Sequence, residues 1–187
     1  IIHTTLQQMD NNAFTLEKLR EVIPSFQDFP KKGVVFRDIH PVMNNPDARE
    51  FVLQELIQRY KDKKLNAIVG LESRGYYFGI PLAWALKLPF VPIRKAGKLP
   101  GEVVHYEYKL EYGSDKVELQ KSSIKKGDRV LIVDDLLATG GTARAACELV
   151  QACGADIVAC EFLIELEELG GRKKAPEGVA YHALLKY

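Results

Sequence analysis

The chain has 187 residues, of which 47% are hydrophobic and 27% charged, and its formal net charge at pH 7 is +1. These values are ordinary for a globular protein that fits a single domain. A charge so close to zero excludes a global field that attracts nucleic acid or an anionic membrane, so any anion must be bound locally. No apolar run approaches the roughly 18 residues that a membrane span needs. With no signal peptide recognisable at the N-terminus, we expect a cytoplasmic protein with neither a membrane nor a nucleic-acid partner.

Two helices are predicted before any buried strand. In the first, Leu16 and Leu19 lie on one face of a pattern that Thr15 caps and Pro24 ends. The second runs over about 45–61, with Asn45 as the cap before a proline at the first helical position.

Short apolar strands then alternate with helices, a pattern typical of a parallel sheet covered on both faces. The strands are predicted over 67–71, 90–93, 129–133 and 157–164, and the helices over 75–87 and 141–153. The segment 95–126 departs from this alternation because it is polar, glycine-containing and longer than an ordinary connection. Such a segment in a compact domain is typical of a functional lid or a flexible excursion.

The cysteines give no sign of a zinc site or a disulfide framework. Their number is odd and none has CxxC spacing, so we expect reduced thiols at Cys147, Cys153 and Cys160. The four histidines are likewise scattered without the spacing of metal ligands.

The loop that follows the strand 129–133 has the strongest functional pattern. Asp134 and Asp135 come directly after the strand, and the residues Ala138 to Thr142 open a helix. Ligands of open α/β sheets bind outside the carboxyl ends of the strands. There the glycines allow close backbone approach, and free N–H groups of the helix start favour a phosphate. Two carboxylates add acceptors for sugar hydroxyls or ligands for a metal, so the pattern predicts a ribose phosphate bound with Mg²⁺.

Two other nucleotide-binding classes lack their motifs in this chain. There is no G-x-x-x-x-G-K-[ST], which excludes a P-loop NTPase, and no G-x-G-x-x-G after a strand, so a dinucleotide-binding fold lacks its fingerprint.

The segment VLIVDDLLATGGT resembles the phosphoribosyl pyrophosphate motif of type I phosphoribosyltransferases. Three further regions are similar to adenine phosphoribosyltransferases and occur in that family's order. They are DFPKKGVVFRDIHPV at 28–42, GLESRGYYFG at 70–79 followed by IRKAGKLPGE at 93–102, and LEYGSDKVELQK at 110–121. The resemblance covers nearly the whole chain from about residue 26 onward.

The resemblance implies an α/β fold of the type I phosphoribosyltransferase class. A central, mostly parallel sheet is flanked by helices, with a small hood built from N-terminal and C-terminal segments. A single domain would span 1–187, with an N-terminal extension and helix over about 1–27, a base-recognition segment over 28–42 and a flexible catalytic loop over 95–126. The implied reaction transfers the phosphoribosyl group from phosphoribosyl pyrophosphate to adenine, giving AMP and pyrophosphate. A homodimer is implied by the family alone.

The family's phosphate-binding roles map onto two groups of residues. Asp134 and Asp135 would face the ribose hydroxyls and be the candidate protein contacts of a Mg²⁺ held mainly by the substrate. The 5′-phosphate would be bound by Ala138, Thr139, Gly140, Gly141 and Thr142. The pyrophosphate, which suits backbone N–H groups and a guanidinium, would be bound by Glu72, Ser73, Arg74, Arg94, Lys95 and Lys98. The resemblance also implies a cis peptide between Glu72 and Ser73.

The family's base-recognition and catalytic roles fall elsewhere in the chain. The adenine-binding residues would be Val35, Phe36, Arg37 and Leu166. Glu111 would lie over the adenine and act in proton transfer, with Tyr112 beside it in the same loop. Glu111 and Arg74 are therefore the predicted catalytic residues.

Two alternatives stay open at the level of sequence. The first is another base specificity on the same scaffold, hypoxanthine–guanine or xanthine, which the matches at 35–37 and at Glu111 disfavour. The second is a regulator that binds phosphoribosyl pyrophosphate as a signal. The neutral charge and the lack of a helix-turn-helix pattern disfavour the nucleic-acid surface that such a regulator needs.

Overall fold

The structure is a computed structural model that describes residues 13–109 and 114–187. The chain divides into two compact units with the boundary between Glu55 and Leu56. Among the described residues, no helix is both long and apolar enough to cross a membrane.

The first unit contains short elements whose ends follow the local sequence. Helix α1 (Leu16–Val22) begins after Thr15, whose side-chain oxygen accepts the N–H of Lys18 at 3.3 Å. Strands β1 (Ser25–Gln27) and β2 (Val35–Arg37) pair antiparallel, and α2 (His40–Asn44) follows. Helix α1 coincides with the predicted first helix within one residue at either end.

Helix α3 (Pro46–Tyr60) begins in the unit of residues 1–55 and continues into the next. The side-chain oxygen of Asn45 accepts the N–H groups of Asp47 and Ala48 at 3.0 and 3.1 Å, which satisfies two of the unpaired donors of the first turn. The predicted second helix and its cap are confirmed.

The second unit is built on a seven-stranded sheet with the order β5-β6-β4-β3-β7-β8-β9. Strands β4, β3, β7, β8 and β9 are parallel, and β6 and β5 extend this sheet as an antiparallel hairpin. The strands are β3 (Ala67–Leu71), β4 (Phe90–Lys95), β5 (Val103–Lys109), β6 (Ser114–Gln120), β7 (Arg129–Leu137), β8 (Asp156–Glu165) and β9 (Tyr181–Lys186). The prediction of a mostly parallel central sheet is confirmed.

Helices α4 (Tyr76–Leu86) and α5 (Gly141–Ala152) cover opposite faces of this sheet. Successive side chains of a strand point to opposite faces. Ala67, Val69 and Leu71 accordingly share a buried cluster with α5. Between them, Gly70 and Ile68 lie on the face where α4 packs, because a side-chain carbon at Gly79 of α4 would lie 3.7 Å from Ile68.

One irregularity sets the pairing register between β7 and β8. Val130 of β7 pairs with Ile157 of β8, but the next residue, Leu131, pairs with Ala159. Val158 is therefore an extra residue in β8, a β-bulge that precedes the functional part of both strands.

The segment 95–126 differs from its expected irregular character because it contains both β5 and β6. Val104, Tyr106 and Tyr108 alternate with polar residues and pack against the core, which is the signature of a half-buried strand. Strand β7 also runs four residues beyond the predicted end at Val133, and β9 was not predicted.

The cysteines are free thiols, as predicted. Cys147 of α5 and Cys160 of β8 are buried with their sulfur atoms 3.4 Å apart, and Cys153 is half-buried.

Candidate active site

A cavity of about 320 Å³ lies at the carboxyl ends of β3, β4 and β7, and β5 and β6 contribute one wall. This volume is at the lower end of the range for small-molecule sites in proteins, about 300–1,000 Å³. Twelve of the predicted site residues line it: Glu72, Ser73, Arg74, Arg94, Lys95, Asp134, Asp135, Ala138, Thr139, Gly140, Gly141 and Thr142.

The acidic pair lies within β7, and its two side chains leave the strand on opposite faces of the sheet. Asp135 is only 5% exposed, and its carboxylate is 2.9 Å from the Nε atom of Arg74, at the approach to α4. Asp134 is on the α5 face, and its carboxylate accepts the backbone N–H of Asp135 at 2.9 Å. The strand thus presents one acid to each side of the cavity.

Burial dominates the electrostatics of this pair. It raises the pKa of Asp135, although Arg74 opposes the shift. Burial and the neighbouring carboxylate of Asp135 raise the pKa of Asp134 well above its ordinary value. Both acids are therefore costly to ionise before a ligand arrives.

The loop between β7 and α5 forms the opposite wall. Gly140 has a φ of +77°, a left-handed conformation that suits glycine, and Gly141 begins the helix. The first N–H groups of a helix have no acceptor within it, and they carry the positive end of its dipole. The hydroxyl of Thr142 is 3.4 Å from that of Tyr108. The loop has the geometry of an anion site.

The basic residues are held by two carboxylates. Glu72 accepts a hydrogen bond from the Nε of Arg94 at 2.6 Å and a short one from Lys98, which does not itself line the cavity. Burial would raise the pKa of Glu72, but the bonds from Lys98 and Arg94 outweigh it, so the pKa is lowered. Lys95 pairs with Asp115 at 3.3 Å. The peptide between Glu72 and Ser73 is cis, as the resemblance implied.

Two residues of the hairpin line this site and a third supports the backbone beside it, although the sequence did not single them out. Tyr108 and Asp115 line the cavity, and their side chains are 3.4 Å apart. Glu118 is 4% exposed and accepts the backbone N–H groups of Lys98 and Leu99, each at 3.1 Å. The alternation in β5 could have revealed Tyr108. A glutamate in an alternating strand ordinarily faces solvent, so nothing indicated Glu118.

The remaining predicted residues are not among those that line this cavity. Val35, Phe36 and Arg37 form β2 in the unit of residues 1–55. Leu166 directly follows β8, and its N–H donates to the carbonyl of Leu137 at 2.9 Å. Glu111 and Tyr112 lie outside the described residues.

The fold and this rim of acids, phosphate loop and cations define a class of protein. Residues 40–181 match the family model of the phosphoribosyl transferase domain. The chain therefore belongs to the phosphoribosyltransferase family.

Individual relatives place it more closely, among the adenine phosphoribosyltransferases. The adenine phosphoribosyltransferase of Flavobacterium johnsoniae is 50% identical over 167 residues, which are 89% of this chain and 98% of the relative. The enzyme of Saccharomyces cerevisiae, solved with adenine and an imino-altritol bisphosphate, is 42% identical with a TM-score of 0.85 over 90% of this chain and 97% of its own. That of Trypanosoma brucei, solved with AMP, pyrophosphate and ribose-5-phosphate, is 28% identical with a TM-score of 0.85, over 91% and 79% of the two chains.

Proposed function

We propose that this chain is a purine salvage enzyme that transfers the 5-phosphoribosyl group from phosphoribosyl pyrophosphate to adenine, giving AMP and pyrophosphate. The observation that carries the proposal is the shared rim, where Asp134, Asp135 and the 138–142 loop line one cavity. A phosphorylated sugar needs acceptors for its hydroxyls and donors for its phosphate, and this rim offers both.

The two acids and the 138–142 loop would bind the ribose 5-phosphate part of the substrate. The residues 138–142 bind the 5′-phosphate through backbone N–H groups and threonine hydroxyls. Asp134 and Asp135 accept hydrogen bonds from the ribose hydroxyls. As the bond to pyrophosphate breaks, positive charge develops on the ribose ring, and nearby carboxylates stabilise it electrostatically.

The cations on the other side of the cavity would bind the leaving pyrophosphate. Arg74 presents a planar guanidinium at the end of β3, and Arg94 and Lys98 lie close by on Glu72. These side chains bind the diphosphate most strongly as its charge grows during bond cleavage, which is the condition for a catalytic effect. Arg74 is therefore proposed as a catalytic residue, with Glu72, Ser73 and Lys95 as further pyrophosphate contacts.

Magnesium fits the site as an ion that arrives with the substrate. Among residues 13–109 and 114–187, no group of three or more His, Cys, Asp or Glu side chains could hold a metal ion on its own. The carboxylates of Asp134 and Asp135 are hard oxygen ligands of the kind that Mg²⁺ accepts beside phosphate oxygens. When bound, the ion neutralises negative charge on the departing pyrophosphate.

The roles at the base are proposed from the resemblance. Val35, Phe36, Arg37 and Leu166 would bind the adenine, and Glu111, next to Tyr112 in the sequence, would take part in proton transfer. Adenine and hypoxanthine exchange donor and acceptor at two edge positions. Two buried mismatches at about 1–3 kcal/mol each discriminate by about 30- to 10⁴-fold. Closure of the segment 95–126, which contains the β5–β6 hairpin, would exclude water and prevent hydrolysis of the sugar phosphate.

We further propose that the chain forms a homodimer. Trp84 is 78% exposed and Tyr77 is 37% exposed, and they lie two helical turns apart on α4. Exposed aromatic side chains grouped in this way are typical of protein interfaces. Light scattering on a sizing column should give twice the chain mass. Trp84→Glu should lower it, and Leu16→Glu, at an exposed hydrophobic residue of α1, should not. A wild-type monomer contradicts the proposal.

The activity is tested by adenine-dependent release of pyrophosphate from phosphoribosyl pyrophosphate with Mg²⁺, alongside hypoxanthine, guanine and xanthine. Adenine should be preferred at least about 30-fold. A faster reaction with another purine would transfer the proposal to that base. No reaction with any of the four would overturn it. Chelation of the metal should abolish turnover and be reversed by added Mg²⁺.

A further inference from the structure

The back of the proposed 5′-phosphate loop rests on a second glycine-containing segment, 170–174, which follows β8. A side-chain carbon at Gly171 would overlap the carbonyl oxygen of Ala138 and lie 2.9 Å from the amide nitrogen of Gly140. Conversely, a side-chain carbon at Gly140 would overlap the carbonyl oxygen of Gly171 and lie 3.0 Å from its Cα. The two backbones touch directly.

The conformations of these two glycines differ, and this difference separates their roles. Gly140 has a φ of +77°, so its local conformation alone favours glycine. Gly171 is not among the described glycines with positive φ. Position 171 therefore requires glycine because a side chain would collide with the phosphate loop, and not because of its own backbone conformation.

The segment 170–174 is held by hydrogen bonds that oppose its movement away from an added atom. Arg172 donates from Nε to the carboxylate of Glu165 at 3.0 Å, with a second short bond to the same group, and also to the carbonyl of Tyr181. Glu165 is buried, and the hydrogen bonds from Arg172 lower its pKa. Arg144 of α5 reaches the carbonyl of Lys174 at 3.4 Å. The segment is thus attached to β8, β9 and α5.

We propose that Gly171 is a positioning residue for the 5′-phosphate loop, and that the anchored segment 170–174 supports the backbone of Ala138 and Gly140 in the phosphate-binding geometry. This inference rests on the proposed function of the loop. It assigns a role in substrate binding to a residue that does not line the cavity. An added methyl group at Gly171 should displace the loop and weaken phosphate binding, because donors moved out of line lose most of their hydrogen-bond energy.

The test compares Gly171→Ala with Gly178→Ala and the wild type. Gly178 has a φ of +77° and nothing within 4 Å of an added side-chain carbon, so its variant carries backbone strain without a clash. Calorimetry would measure the affinity for ribose 5-phosphate and, separately, for pyrophosphate with Mg²⁺. In Gly171→Ala the affinity for ribose 5-phosphate should fall about 10- to 100-fold, with pyrophosphate changed by less than about twofold. Gly178→Ala should match the wild type for both ligands. In the kinetic assay, the KM for phosphoribosyl pyrophosphate should rise and that for adenine should not.

Unchanged affinity for ribose 5-phosphate in Gly171→Ala, or an equal loss for both ligands, overturns the inference. If Gly171→Ala does not fold, Arg172→Lys decides, because it loosens the anchor without placing atoms against the loop. It should show a smaller but selective loss for ribose 5-phosphate, and no selective loss overturns the inference. A wild type that binds ribose 5-phosphate but makes no AMP overturns the proposed activity, while the binding comparison still decides the role of Gly171. A wild type that does not bind ribose 5-phosphate overturns both.

Discussion

In the cavity Glu72 binds the two cations Arg94 and Lys98, whereas Asp135 is paired with Arg74 and Asp134 accepts the backbone N–H of Asp135. The pKa of Glu72 is lowered, whereas those of both aspartates are raised. The proposed pyrophosphate side is thus electrostatically satisfied before substrate arrives, and the proposed ribose side is not. The diphosphate must displace the carboxylate of Glu72 from Arg94 and Lys98 in order to bind them. The sugar, in contrast, meets two acids whose ionisation is disfavoured in the free protein.

The largest effect that this contrast predicts is on turnover. The double variant Asp134→Asn/Asp135→Asn should lose at least about 100- to 1,000-fold in kcat, the scale for removing an electrostatic group from an enzyme site. Its circular dichroism spectrum should remain that of a folded protein. Near-normal kcat in a folded double variant would refute the proposed role of the ribose-side acids.

A smaller effect, on substrate binding, is expected from a change on the proposed pyrophosphate side. Arg94→Gln should raise the KM for phosphoribosyl pyrophosphate by about tenfold, because one charged hydrogen bond to the diphosphate is lost. The matched control is Arg49→Gln on the exposed surface of α3. The difference between the two variants should shrink at high salt, since an exposed charge is screened. Equal KM values for Arg94→Gln and Arg49→Gln would mean that Arg94 does not bind the substrate.

Glu118 tests how far a buried carboxylate that accepts the backbone N–H groups of Lys98 and Leu99 stabilises the fold. Burial would raise the pKa of Glu118, but the backbone N–H groups of Leu99, Gly97 and Lys98 outweigh it, so the pKa is lowered. A lowered folded-state pKa gives stability that is present above the unfolded value of about 4.3 and lost as pH falls through the folded one. Glu118→Gln should therefore lower the free energy of unfolding by about 1–2 kcal/mol at pH 7 and by less at pH 3.

Denaturant titrations at the two pH values measure this difference. Glu102→Gln, at an exposed position of the same hairpin region, should change stability little at either pH. If the loss of unfolding free energy in Glu118→Gln were as large at pH 3 as at pH 7, the charge of Glu118 would not be the source of the stabilisation.

The smallest effect concerns the stability of the ribose side. Because the folded-state pKa of Asp134 is raised, its ionisation opposes folding, and stability falls as pH rises from the unfolded value of about 3.9 through the raised one. Asp134→Asn should therefore melt a few degrees above the wild type at pH 8, and this gain should vanish near pH 4. If Asp134→Asn melted below the wild type at pH 8, ionisation of Asp134 would not oppose folding and the prediction would be wrong.

The sequence predicted the parallel strands and the residues that follow them because these signals are local. An apolar run that ends in Asp134 and Asp135 and opens a helix at Gly141 needs no distant partner to be recognised. Glu118 and Asp115 carry no such signal, because their roles depend on the register between β6 and β4, where Arg94 pairs with Glu118. The contact between Gly140 and Gly171 joins segments 31 positions apart, and no periodicity relates them.

The bulge at Val158 has a consequence for which changes in length the chain can tolerate. It fixes the register in which β7 and β8 reach the cavity, and adjacent side chains of β7 take opposite faces. An insertion or deletion of one residue between Leu131 and Asp134 would exchange the sides on which the two aspartates emerge, turning Asp135 away from Arg74. Relatives with altered chain length should therefore place their extra or missing residues in connecting loops, while this stretch keeps a constant number of positions.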